Sequence, residues 1–409
     1  MLIEFSVANF RSFRERQTFQ MTAAPRPGKR ENVFSTNVPG DKLPDLLKVA
    51  AIYGGNASGK TNLIRALGIF SKLAAHRPEA RARSLPVEPF RFDAALLNEP
   101  SVFEVHFIAN GTRYQFNVSA TRERIMHESL IAFPRGKEAL LYVRARGEIA
   151  DEYEFGGAFE GPAGIRDVWR GLTGPQSLFI SQVVANSSED LSQLRAPYAW
   201  LAQGAVVLDD GPKQLERIAE ARTGEFWSGE SADTWKEGIS AYLQDIDVPV
   251  TSYRLEENET GRARIILTHQ TRLGEADFEL HEESSGTRNL IGFWLMWNLL
   301  IGSAGPSPER YGIIVVDELD ASLHPEIVEH LVAKHISSGS KTQLIFTTHD
   351  THLMSTRLLR RDQLWVADRN SDGATRLTSI HSYEGREGED VEKRYFEGRY
   401  RGLPVRKRG

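Results

Sequence analysis

Residues 54–61 read Gly-Gly-Asn-Ala-Ser-Gly-Lys-Thr and fit the pattern G-x-x-x-x-G-K-[ST]. No other feature of this chain constrains its fold as tightly. Small residues let backbone N–H groups close around phosphate oxygens. A lysine at the seventh position reaches the β- and γ-phosphates, and the hydroxyl after it takes one Mg²⁺ position. The pattern works only between a buried strand and a helix whose N-terminus faces the anion. Both flanks are present: Lys48–Tyr53 reads as a short apolar strand, and Leu63, Ile64, Leu67 and Phe70 recur at helical spacing. The expected phosphate cradle is Gly54, Gly55, Asn56, Ala57, Ser58, Gly59, Lys60, Thr61 and Asn62.

Composition narrows the setting. The chain has 409 residues, enough for a full core and two or three subdomains. It lacks cysteine, which excludes disulfides and thiolate metal sites and suggests a cytoplasmic protein. The start, MLIEFSVANF, has a strand pattern rather than that of a signal peptide. The most apolar run, Leu290–Ile301, falls short of the ~20 residues a membrane span needs, so no membrane partner is expected. Formal net charge is −5, which gives no general signal for nucleic acid. The tail 393–409 nevertheless carries seven basic residues against one acid. It reads either as a solvated end or as a surface for phosphate or an acidic partner. Its aromatics, Tyr395, Phe396 and Tyr400, favour packing, since they have large apolar area to bury.

Along the chain, Leu2–Ala8 alternates as a strand. Residues 22–45 have loop composition. Val102–Ile108 and Thr112–Val118 alternate on either side of Asn110-Gly111, the pair that a tight hairpin turn favours. That hairpin is antiparallel and so lies outside a parallel P-loop sheet. Residues 136–175 are glycine-rich and give no clear pattern, whereas Ser177–Ala202 and Lys213–Leu243 look mainly helical. Arg262–Thr268 and Ala276–His281 return to strand. Ile313–Val316 and Gln343–Thr347 are wholly apolar apart from their ends, as central parallel strands are. Ile327, Val328, Leu331, Val332 and Ile336 form the stripe of the helix between them. The expected division is an N-terminal lobe at 1–135, a mainly helical insertion at 136–260 and a C-terminal lobe at 261–409.

Three further motifs carry chemistry. Asp317-Glu318 closes the strand 313–316 in the manner of a Walker B segment. Asp317 then holds Mg²⁺ opposite Thr61, and Glu318 polarises the attacking water. His349 follows the next apolar strand, where a neutral imidazole contacts the γ-phosphate and lines up that water. Ser284, Ser285 and Gly286 precede the apolar helix. Such a turn is a phosphate-ready set of hydroxyl and N–H donors, and equally a helix cap. Its place about 30 residues before Asp317 favours the first.

This order of motifs resembles the ABC-type ATPase heads of the SMC/RecF-like superfamily. The opening Asn9-Phe10-Arg11-Ser12 is similar to those heads' start, and the resemblance implies that Arg11 and Ser12 lie near the nucleotide. Leu319–Pro325 resembles their D-loop. The strings DELDASLHPE, TTHD and YFEGRYRGLP are more narrowly similar to bacterial RloA/AriA-type ATPases of anti-phage systems. The implied fold is α/β: a P-loop NTPase of the ABC-ATPase head type, with a central, mostly parallel sheet, an antiparallel β subdomain and a helical insertion. The implied ligands are ATP and Mg²⁺. The implied assembly is a homo-oligomer, at least a dimer, in which Ser284 and Gly286 of one copy meet the γ-phosphate held by another. Glu283 and Thr287 depart from the transporter form of that signature. Gln182 and Asn186 are the candidates for a Q-loop residue.

Two outputs fit such an ATPase. One is a sensor or regulator of anti-phage defence that controls a separate effector protein. The alternative is a RecF-like repair ATPase that binds DNA. A scaffold that binds ATP without turnover fits less well, because Asp317 and Glu318 are both intact.

Overall fold

The computed structural model describes residues 1–25, 28–76, 84–187, 192–221, 232–257, 263–301, 312–355, 358–385 and 389–403. Its centre is a six-stranded sheet in the order Ala205–Leu208, Ile313–Val316, Gln343–Thr347, Val49–Tyr53, Leu364–Arg369, Thr375–Ser379. The first five strands run parallel and the last is antiparallel. Parallel order explains why distant motifs can meet. Ile52 pairs with Thr347 and Phe346 with Val316, so the P-loop, His349 and Asp317 all leave the same edge of the sheet.

Both faces of this sheet are covered, which accounts for the unbroken apolar runs. Ala50 and Ile52 point into one core with Phe5, Phe19, Leu63, Phe70, Phe103 and Phe116. Val49, Ala51 and Tyr53 point into the other, with Leu290, Trp294, Val328 and Leu331. The first core is closed by a seven-stranded antiparallel sheet in the order Asp151–Phe155, Ala139–Arg146, Ile125–Phe133, Thr112–Ala120, Ser101–Ala109, Leu2–Ala8, Gln17–Gln20. The hairpin at Asn110-Gly111 forms as expected, with φ of 46° and 70° at its two central residues. The helix Ser285–Ile301 packs into the second core. Among the described residues, no helix is long and apolar enough to cross a membrane.

The α/β architecture therefore stands, but its internal boundaries differ from the expected ones. The segment 136–260 carries the helices Ala163–Leu172, Phe179–Ala185, Ser192–Gln203, Pro212–Ala221 and Ala232–Asp245, but it also supplies strands to three sheets. Ala139–Arg146 and Asp151–Phe155 extend the antiparallel sheet, and Ala205–Leu208 edges the parallel one. Val250–Glu257 opens a three-stranded sheet with Ala263–Thr271 and Gly274–Glu279. The first of these strands is hard to see in sequence because it buries a charge. Arg144 is 1 % exposed, and its guanidinium donates to Asp151 at 2.7 Å and to the Ser177 carbonyl at 2.6 Å. The fully buried Glu128 lies 3.6 Å from it and accepts from the Phe179 and Ile180 N–H groups. A charge paired this fully can occupy a core position. The P-loop helix also stops sooner than its apolar stripe suggests, at Leu67, and restarts beyond Gly68 as Ile69–Ala74.

Candidate functional site

The loop 54–59 is built from left-handed and positive-φ residues. Gly54 has φ 145°, Ala57 φ 60° and Gly59 φ 104°, and Lys60 opens the helix Lys60–Leu67. Two glycines are required by space as well as by conformation. A Cβ on Gly54 would stand 2.3 Å from the Ala367 carbonyl oxygen and 2.7 Å from Ser58 Oγ. One on Gly59 would stand 2.0 Å from Thr375 Oγ1 and 2.8 Å from Ser12 Oγ. The loop is thus pressed against the last two strands of the parallel sheet and against the N-terminal segment.

An anion fits what remains. Among the described residues, no backbone carbonyl accepts from the N–H groups of Asn56, Ala57, Gly59, Lys60 or Thr61. Ser58 Oγ is buried without a hydrogen-bond partner. A buried hydroxyl is seldom left unpaired, and a curled loop of N–H groups at a helix N-terminus is an anion cradle. Lys60 is 6 % exposed and donates to the carbonyls of Gly54 (2.8 Å) and Gly55 (3.2 Å). Its third contact is His349 Nε2 at 3.2 Å. An ammonium only donates, so that nitrogen accepts, which selects the neutral tautomer protonated at Nδ1. Burial lowers the Lys60 pKa from its ordinary value, against the opposing pull of Asp317, Glu318 and Asp320.

The carboxylates arrive from the neighbouring strand. Asp317 is 6 % exposed and Glu318 is exposed. Glu318 takes the left-handed conformation, φ 53°, which turns the chain sharply after Asp317. Thr347 holds the pair. Its Oγ1 donates to Asp317 Oδ1 at 2.6 Å and accepts from the Glu318 N–H at 2.7 Å. Asp320 accepts from the His349 N–H at 3.2 Å.

The remaining expected residues divide. Ser12 is at the loop: its Oγ accepts from Asn62 Nδ2 at 2.8 Å and lies 2.8 Å from Thr375 Oγ1. Arg11 turns elsewhere, to Glu88 at 2.8 Å, beside Arg65 and Asp209. Ser284 accepts from the Thr287 N–H at 3.1 Å, so it caps the helix Ser285–Ile301. A Cβ on Gly286 would stand 2.7 Å from the Ser322 carbonyl oxygen. Within one chain, the signature therefore packs on the segment after Glu318. Gln182 and Asn186 hydrogen-bond each other on the helix Phe179–Ala185, whose first N–H groups Glu128 holds. Sequence reasoning missed the supporting roles of Thr347, Asp320 and Thr375. The first threonine of Thr-Thr-His was the one visible signal, since a hydroxyl at the end of an apolar strand has to find a partner.

Residues 49–155 and 201–355 match the family model described as "AAA domain, putative AbiEii toxin, Type IV TA system". No curated protein matches the chain. Among solved structures, the SMC head domain from Thermotoga maritima is 20% identical, with a TM-score of 0.40, over 92% of this chain and 98% of that one. An SMC head bound to the C-winged helix domain of ScpA is 15% identical, with a TM-score of 0.43, over 92% and 97%. A Pyrococcus furiosus SMC head with an extended coiled coil, bound to the C-terminal domain of ScpA, is 13% identical, with a TM-score of 0.40, over 97% and 98%.

Proposed function

The chain belongs to the AAA-domain family described as putative AbiEii toxin of a type IV TA system, and from that premise we propose that it binds and hydrolyses ATP as an ABC-type switch. The observation that carries this reading is the convergence on Lys60. His349 lies 3.2 Å from its Nζ, and Asp317 and Glu318 both act on its charge. Three segments separated by up to 289 residues thus supply a cation, a pair of carboxylates and a neutral imidazole at one loop.

On this reading Lys60 keeps the Gly54 carbonyl and turns its other N–H donors to the β- and γ-phosphates, which the loop N–H groups and Ser58 also hold. Glu318, exposed beside the loop, orients the attacking water, and His349 supports it through its neutral nitrogen. Thr61 and Asp317 are the residues that would hold Mg²⁺, which would supply positive charge to neutralise the charge developing on the phosphates. Gly286 packs on Ser322 in its own chain, and Ser284 is exposed. This turn is placed here as the wall that a second copy brings to the γ-phosphate. ATP then joins two heads and hydrolysis releases them, because the intact γ-phosphate alone bridges both.

The output is read as a cytoplasmic regulator of a bacterial anti-phage system that holds or releases a separate effector. The toxin–antitoxin wording of the family description supports a growth-control role of this kind. The test is Glu318→Gln. It should abolish turnover, keep ATP bound and raise the dimer fraction in size-exclusion chromatography with ATP. Normal hydrolysis by that variant would remove Glu318 from the role. Strong, salt-sensitive stimulation of the wild type by duplex ends would favour the RecF-like reading over the effector one.

A further inference from the structure

The motif Tyr395-Phe396-Glu397-Gly398-Arg399-Tyr400-Arg401-Gly402 has no part in the chemistry above, yet it ends on the phosphate loop. The Gly402 carbonyl accepts from the Gly55 N–H at 2.8 Å. The same carbonyl accepts from Tyr395 Oη at 3.2 Å. Tyr395 and Tyr400 are buried, and Tyr383 Oη donates to the Tyr400 carbonyl at 3.1 Å. Gly402 has φ 74°, and a Cβ there would meet Val366 Cγ1 at 2.4 Å and Gly54 Cα at 3.7 Å. Only a glycine can pass so close to the loop.

The consequence lies in a single peptide unit. The amide joining Gly54 to Gly55 is gripped at both ends. Its C=O holds Lys60 Nζ at 2.8 Å, and its N–H is held by Gly402. A planar amide turns as one body, so whatever fixes the N–H also fixes where the carbonyl points. We infer that the turn Tyr400–Gly402, braced by Tyr395, is a positioning element for Lys60, through which the C-terminal segment sets the affinity of the loop for nucleotide. This rests on the nucleotide reading of the loop. Gly55 is the second residue of the loop and its N–H is directed away to Gly402, so the clamp leaves the N–H groups of Asn56, Ala57 and Gly59 for the cradle.

The experiment measures affinity for a fluorescent ADP analogue in full-length protein, wild type and Tyr395→Phe, Gly402→Ala, Lys60→Ala and the double variant Tyr395→Phe/Lys60→Ala. Melting without nucleotide is followed in parallel. Losing the Tyr395 hydroxyl should weaken binding about fivefold, the scale of one hydrogen bond. Gly402→Ala should weaken it by about tenfold or more, since the added Cβ displaces the carbonyl. A residue that merely stabilises the fold would weaken the Lys60→Ala protein by the same factor. A positioning residue would not, so Tyr395→Phe should have little further effect once Lys60 is gone. Unchanged affinity in both Tyr395→Phe and Gly402→Ala, with Lys60→Ala impaired, overturns the inference and leaves the nucleotide reading standing. Additive effects in the double variant overturn it as well. Wild-type affinity in Lys60→Ala would instead remove the nucleotide reading on which it rests.

Discussion

Thr347→Val isolates the one hydroxyl that organises both carboxylates. The side chain is fully buried, and valine has nearly its shape. What disappears is a 2.6 Å bond to Asp317 and a 2.7 Å bond from the Glu318 N–H. A hydrogen bond to a buried charge contributes about 1.5–3 kcal/mol, and an orphaned N–H costs about another 1 kcal/mol. Together these give a loss of about 2.5–4 kcal/mol. Glu318 is also in the left-handed region at φ 53°, a conformation that costs about 1–2 kcal/mol and persists only while its surroundings hold it. Without the hydroxyl the turn can relax and carry the carboxylate away from the water it should orient. A displacement on the order of 1 Å reduces rate about a hundredfold. Thr347→Ser keeps the hydroxyl and loses a methyl, so it should stay within about threefold of wild type while losing about 1 kcal/mol of stability. The assay is steady-state ATP hydrolysis with a urea midpoint for each variant. The reasoning fails if valine turns over ATP like wild type, or if serine is as slow as valine.

Two further outcomes follow from other buried groups. Gly59→Ala forces a side chain into φ 104° with its Cβ 2.0 Å from Thr375 Oγ1. Nucleotide affinity should fall by more than about tenfold, and adding Thr375→Ala should recover only part of it, because the backbone strain stays. Full recovery in an equilibrium binding assay would assign the whole effect to the clash. His335 is 1 % exposed, accepts from the Trp297 indole N–H at 2.9 Å and donates to the Thr342 carbonyl at 3.0 Å. Burial pushes its pKa down from 6.5 to about 4. Between those values the unfolded chain binds the extra proton, so stability falls as pH drops from 6.5 towards 4, by up to about 3 kcal/mol. The urea midpoint of His335→Gln should vary less across that window, and an unchanged slope would contradict the assignment.

The sequence is legible where burial and chemistry coincide. Val49–Tyr53, Ile313–Val316 and Gln343–Thr347 are apolar because each is covered on both faces, and each ends on the residue that leaves the sheet edge. Their motifs can therefore be placed without knowing strand order. Strand order itself is not in the pattern. The Thr347 hydroxyl meets Asp317 because the two strands are neighbours in register, and nothing in either string says so. The Gly402–Gly55 bond spans almost the whole chain and depends on a backbone carbonyl, which no residue type announces. The strand Ala139–Arg146 is hidden by an arginine whose two acids, Glu128 and Asp151, lie on other strands. Ser284 shows the converse problem. A serine before a helix satisfies a cap and a phosphate-binding turn equally, and in the single chain the cap is what it makes.

That cap bears on how two sites in the proposed assembly would communicate. The signature is not isolated from its own chain's chemistry. Gly286 lies under the Ser322 carbonyl, Asp320 two residues earlier holds the His349 N–H, and His349 Nε2 meets Lys60. Three short contacts thus run from the signature at Gly286 to Lys60 through the segment that follows Glu318. If a second copy's γ-phosphate takes the Thr287 N–H away from Ser284 Oγ, the helix start loses its cap and its fit against Ser322 changes with it. The imidazole of the first copy is then the next group to move. Asp320→Ala removes the middle link while leaving Lys60, Glu318 and Ser284 in place. In the two-head reading it should lower the cooperativity of ATP hydrolysis as well as the affinity of a single head, since Asp320 also acts on the Lys60 charge, and an unchanged Hill coefficient would refute the link.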